Sequence, residues 1–184
     1  MKDLAVATFA SLLLMPISAG AGQKDAPAAP ALPAEHKNAA ATLTFHTPAS
    51  WVVEAKSAVP ELTEARGDGL IVRIVRREGE QGLDSLHSEC MLVRLAGPMD
   101  AAPQVDYEYD FVGGKVGERR ALDSAFVVHY DEPIDGQRDW RQRNLTLVGQ
   151  GESLCLIGYS PLTTWKHSKP ARALLDAVLA SVRF

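Results

Sequence analysis

The chain has 184 residues, 46% of them hydrophobic, and a formal charge of −4, enough apolar material for one domain with its own core. Nucleic-acid binders usually carry a basic excess, which this chain lacks. Its five histidines and two cysteines show no HxH, HExxH or CxxC spacing, so no zinc or redox motif can be read from the sequence.

Lys2 opens the chain, an apolar stretch runs from Leu4 to Ile17, and the small residues Ala19, Gly20 and Ala21 follow. This is the pattern of a secretory signal peptide over 1–21, cut after Ala21. Its apolar stretch is shorter than the roughly 20 residues that span a bilayer, so no transmembrane segment is expected after cleavage. The mature protein is therefore expected to be periplasmic or secreted. Residues 22–41, GQKDAPAAPALPAEHKNAAA, are rich in Ala and Pro and read as a flexible tether. Residues 42–184 read as a single globular domain.

In that domain Leu43, Phe45 and Thr47 alternate with Thr44 and His46, and Pro48 turns the chain into Trp51, Val52 and Val53, predicting strand, turn, strand. AVPELTEARGDG is polar and reads as a turn-rich connection. GLIVRIVRR behind it sets Leu70, Val72 and Ile74 against Ile71, Arg73 and Val75, the alternation of a buried strand. EGEQGLDS reads as a loop, and residues 87–97 fit either a strand or a two-turn helix. QVDYEYDFVGG puts Val105, Tyr107, Tyr109 and Phe111 on one face and Asp106, Glu108 and Asp110 on the other, ending at Gly113 and Gly114.

After GERRALD, read as an intervening connection, the runs SAFVVHYDEP and RDWRQRNLTLVGQ flank Asp135-Gly136, a hairpin signal, and Gly149-Gln150-Gly151 returns the chain through SLCLIGYS. A three-strand antiparallel meander is predicted. Ser168 and Pro170 then open a helix whose Ala171, Leu174, Leu175, Val178 and Leu179 form an apolar stripe. The fold class is α+β: an antiparallel sheet of about six to eight strands with a C-terminal helix packed on it.

Cys90 and Cys155 each lie in a short apolar run, and an oxidising compartment permits their pairing. The alternative is two separate buried thiols.

Phe45, Pro48 and Trp51 in FHTPASW resemble the F-x-x-P-x-x-W turn that opens the PsbP-like and Mog-type family. A strand like LCLIGYS followed by a helix closing on ALLDAVLASVRF resembles that family's ending. The likeness rests on the two ends of the domain, with nothing specific between about Glu54 and Leu122. It implies an antiparallel sheet between helix layers, although the sequence shows only one clear helix. It further implies a binding or assembly role in which the family shares no catalytic residues.

Asp106, Glu108 and Asp110 are the one carboxylate set that suggests a hard cation. Alternate residues of a strand stand about 7 Å apart, so a solvated face paired with Arg138, Arg141 and Arg143 is the more economical reading. A second basic group, Arg73, Arg76 and Arg77, also reads as a solvated strand face. Trp51, Trp140, Tyr107 and Tyr109, with Arg141 and Arg143, are the candidates for a ligand or partner surface, against the commoner use of large aromatics in packing. Ser153 and Ser160 lack the G-x-S-x-G context of an exposed nucleophile. Asn144-Leu145-Thr146 is a glycosylation sequon in a predicted strand and is read as structural.

No cofactor is implied. The expected function is an exported non-catalytic binding or assembly module, its partner an envelope or extracellular protein or a small ligand. The alternative is an envelope hydrolase whose site is assembled only in three dimensions.

Overall fold

A computed structural model of the chain describes residues 30–38, 42–58, 61–93, 95, 104–163 and 169–183. The signal-peptide segment, most of the tether, Ser168 and Phe184 lie outside them. The described residues form a seven-stranded antiparallel sheet, a two-stranded hairpin and two helices. The strands are β1 (Ala34–Lys37), β2 (Thr44–Thr47), β3 (Val52–Ala58), β4 (Glu61–Gly67), β5 (Leu70–Glu78), β6 (Gln104–Val116), β7 (Arg119–Ile134), β8 (Gln137–Gly149) and β9 (Glu152–Pro161). The helices are α1 (Leu83–Met91), between β5 and β6, and α2 (Lys169–Ala180) at the end.

The strand order of the large sheet is β3-β4-β5-β9-β8-β7-β6. Strands β3 to β5 form one meander and β6 to β9 another, and β9 returns beside β5. Between the meanders the chain passes from the middle of the sheet to its far edge, and α1 lies on that crossing over β7, β8 and β9. The turn at Asp135-Gly136 is the tight reversal expected from its dipeptide, with φ of 49° and 77°.

Alternation along the strands sends side chains to opposite faces. Leu70, Val72 and Ile74 join Leu147, Leu154 and Leu156 under α2, which contributes Leu175, Val178 and Leu179. Ile71, Val75, Val148, Ile157 and Tyr159 face α1 with Leu86 and Cys90. Both helix layers are therefore present, the second supplied by α1. At Gly158 a Cβ would stand 2.9 Å from a Leu175 methyl, so glycine there lets α2 sit close on the sheet. The F-x-x-P-x-x-W turn closes through Trp51 N–H donating to the Pro48 carbonyl at 3.1 Å, with Phe45 and Trp51 both in the α2-side core.

Four expectations are corrected. AVPELTEARGDG contains β4, whose polar side chains hid the strand because Glu61, Thr63 and Glu64 are buried on it. Residues 87–97 begin as helix, and α1 takes Leu83, Asp84 and Ser85 from the expected loop. GERRALD is not a connection, since β7 starts at Arg119. The stretch 22–41 contains β1, which pairs with β2 from Ala34↔Thr47 to Lys37↔Thr44. This pairing orders four residues that composition alone assigned to a tether. The hairpin is held to the domain by the Thr44↔Arg183 bridge and by Asn38, whose Nδ2 donates to Glu61.

Candidate functional site

The chemically richest group of side chains lies between α1 and the sheet. β8 points Gln142, Asn144 and Thr146 toward α1, because alternate strand residues share a face, and β7 places Ser124 directly opposite Asn144. From α1, His87 reaches down one turn before Cys90. Its Nδ1 is 2.7 Å from Thr146 Oγ1 and its Nε2 is 2.9 Å from Ser124 Oγ. Gln142 Nε2 donates to Asn144 Oδ1 at 3.0 Å. All five side chains are fully buried, at 0% exposure.

Beside this cluster Cys90 and Cys155 form a disulfide, with Cα atoms 5.8 Å apart at a sequence separation of 65. The Cα separation lies within the usual range for a bridged pair. Cys155 is the register partner of Thr146, so the covalent tie and the His87 bonds hold α1 over the same stretch of sheet. The helix needs them. Nine residues are too few for a helix to stand alone in water, and its N-cap, Gly82, supplies no side-chain bond.

A serine within reach of a histidine is the beginning of a nucleophile–base pair. Here the second ring nitrogen meets the Thr146 hydroxyl rather than a carboxylate, and the pair is sealed from solvent. Neither feature suits turnover of a substrate. No spacing in the sequence announces this cluster. Its only sequence signal is the alternation of Gln142, Asn144 and Thr146 along β8.

The aromatic and arginine candidates do not form one surface. Trp51 lies in the α2-side core and its Nε1 donates to Asp68 at 2.8 Å, whereas Trp140 lies in the α1-side core. They sit on opposite faces of the sheet. Arg141 is buried at 1% exposure, and Arg143 is held by Asp123 and by Asp176 of α2. Tyr107 and Tyr109 take register positions opposite Phe126 and Ala125.

Strand β6, which carries Asp106, Glu108 and Asp110, does not adjoin β8, because β7 runs between them. Asp106 instead meets His129 Nε2 at 3.2 Å, while Asp139 Oδ1 lies 2.8 Å from His129 Nδ1. These bonds, that to Asp139 first, raise the His129 pKa above 6.5. Glu108 and Asp110 occupy β6 backbone positions. Among the described residues no three His, Cys, Asp or Glu side chains gather in a way that would hold a metal ion.

In the other basic group Arg77 pairs with Glu89 at the surface, whereas Arg73 and Arg76 are drawn into the sheet. Arg73 donates to the buried Glu64 at 2.6 Å, and Arg76 binds Glu152 at 2.7 Å and lies 3.6 Å from Glu61. Burial pushes the Glu64 carboxyl up, but the bonds from Arg66 and Arg73 outweigh it and leave its pKa below 4.5. A chain of alternating charge, Glu61–Arg76–Glu152–Arg119, thus crosses the sheet on the α2 side. Asn144 is fully buried, in keeping with a structural role for the sequon. Ser153 Oγ donates to the Gly79 carbonyl, and Ser160 is buried. His36 bonds Thr47 and packs against Phe45; burial, then His46, lowers its pKa. His167 lies outside the described residues.

Solved structures show what this arrangement is similar to. The cyanobacterial PsbP (CyanoP) of Synechocystis sp. PCC 6803 superposes with a TM-score of 0.59 at 12% identity, over 82% of this chain and 91% of that one. The fold is PsbP-like. Two other structures match more loosely. One is a protein of Bacteroides thetaiotaomicron VPI-5482, with a TM-score of 0.49 at 10% identity over 81% of this chain and 47% of its own. The other is LpqN, described as involved in cell envelope biogenesis of Mycobacterium tuberculosis, with a TM-score of 0.46 at 12% identity over 77% and 82%. No family model and no curated protein matches the sequence. Likeness at these identities is one of fold. Nothing in it singles out Mog-type proteins.

Proposed function

We propose that the chain is an exported, non-catalytic binding or assembly module of the cell envelope. The observation that carries the non-catalytic part is the burial of the Ser124–His87 pair: this hydroxyl–imidazole contact has no exposed surface for a substrate. The PsbP-like fold supports a module of this kind, and the disulfide suits an oxidising compartment. No helix among the described residues is long and apolar enough to cross a membrane.

The test has two arms. Cell fractionation with mass measurement of the recovered protein should find it outside the cytoplasm with Gly22 as its first residue; a cytoplasmic chain starting at Met1 would overturn the export reading. Purified mature protein should be inert toward ester, amide and glycosidic reporter substrates. Hydrolysis that disappears in both Ser124→Ala and His87→Ala would establish the hydrolase instead.

A further inference from the structure

We infer that the cluster beneath α1 holds one buried water molecule as a fixed part of the structure, bound between the side-chain amides of Gln142 and Asn144. Each of these residues is at 0% exposure, and their mutual bond at 3.0 Å uses one donor and one acceptor. Gln142 Oε1 and Asn144 Nδ2 have no hydrogen-bond partner among the described residues. Rotating the amides does not remove the demand. If both turn by 180°, Asn144 donates to Gln142, and Gln142 keeps an unused donor while Asn144 keeps an unused acceptor. If one turns, like faces like and the existing bond is lost. In every arrangement that keeps the bond, one donor and one acceptor stay unpaired, a demand that a single water molecule meets.

The surroundings choose which molecule. His87, Ser124 and Thr146 contribute an imidazole and two hydroxyls, and no carboxylate, lysine or arginine belongs to the cluster, so a neutral guest is favoured over an ion. Buried waters typically make about three hydrogen bonds to polar groups that would otherwise be unsatisfied. The Cys90–Cys155 bond and the two His87 bonds hold the covering helix in place, so this water should exchange slowly with bulk solvent.

A high-resolution crystal structure of the mature, oxidised protein tests the site directly. A density peak within hydrogen-bond distance of both amides is expected; its absence, in maps that show other buried waters, would overturn the inference. In solution, the side-chain NH2 protons of Gln142 or Asn144 should give a cross-peak at the water frequency with the sign of a long-lived complex. That peak should persist in Ser124→Ala and in Thr146→Val. Loss of the peak in either variant that still folds would show relay from a hydroxyl proton and remove the solution support, and the density then decides.

Discussion

Leu156 and Ile157 are neighbours on β9, yet they look onto two differently built layers. Leu156 faces the twelve-residue α2, where Leu175, Val178 and Leu179 close over branched side chains from β5, β8 and β9, with Phe45 and Leu43 completing the apolar cover. Ile157 faces the nine-residue α1, whose buried residues are Leu86, His87 and Cys90. One layer is held by apolar area. The other adds a disulfide and directed hydrogen bonds to its apolar contacts. A short helix over a strip of mixed polar and apolar side chains thus carries a covalent tie that the longer helix over leucine lacks.

The comparison can be broken most forcibly at the disulfide. Replacing Cys90 and Cys155 by Ala should lower stability by about 4 kcal/mol on the chain-entropy account for a loop of this length, read by urea denaturation. Hydrogen exchange should show α1 amides losing protection before those of α2. Equal losses in the two helices would erase the distinction between the layers. On the other face, Leu175→Ala removes a fully buried side chain and should cost about 3 kcal/mol. Its converse, Gly158→Ala, pushes against the Leu175 methyls and should cost about 2 kcal/mol. Adding Leu175→Ala to Gly158→Ala should then cost less than the sum of the two, as measured in a double-mutant cycle.

Thr146→Val removes the hydroxyl bonded to His87 and should cost about 1–2 kcal/mol, with the effect concentrated in α1 exchange. The smallest effects are electrostatic. His129 has a raised pKa, so the stability it contributes is fully present below its ordinary value of 6.5 and is lost as pH rises through the raised folded value. Glu64 runs the other way: its contribution is present above 4.5 and is lost as pH falls through the lowered folded value. Thermal melts of His129→Gln and Glu64→Gln across pH, against the parent, should show these opposite slopes.

Much of the fold was legible from local pattern. The meander of β7, β8 and β9, the Asp135-Gly136 hairpin, the α2 stripe and the opening turn all follow from alternation, turn chemistry and helical spacing, which act over a few residues. β4 was not legible, because its buried Glu61 and Glu64 look like loop residues until Arg76 and Arg73 on the next strand pair with them. The candidate site was less legible still. His87, Ser124, Gln142, Asn144 and Thr146 come from three elements spread over 60 residues, and none stands in a motif.

By itself, the sequence determined the α+β class, the strand-rich second half and the C-terminal helix. Each is written in short-range periodicity or in the chemistry of single turns. Tertiary structure decided that α1 is a helix, that Cys90 meets Cys155, that Trp51 and Trp140 lie on opposite faces, and that a polar cluster is sealed under α1. These depend on the crossing from β5 to β6 and on strand order. Contacts between residues far apart in the chain are set by register and packing, which local composition does not record.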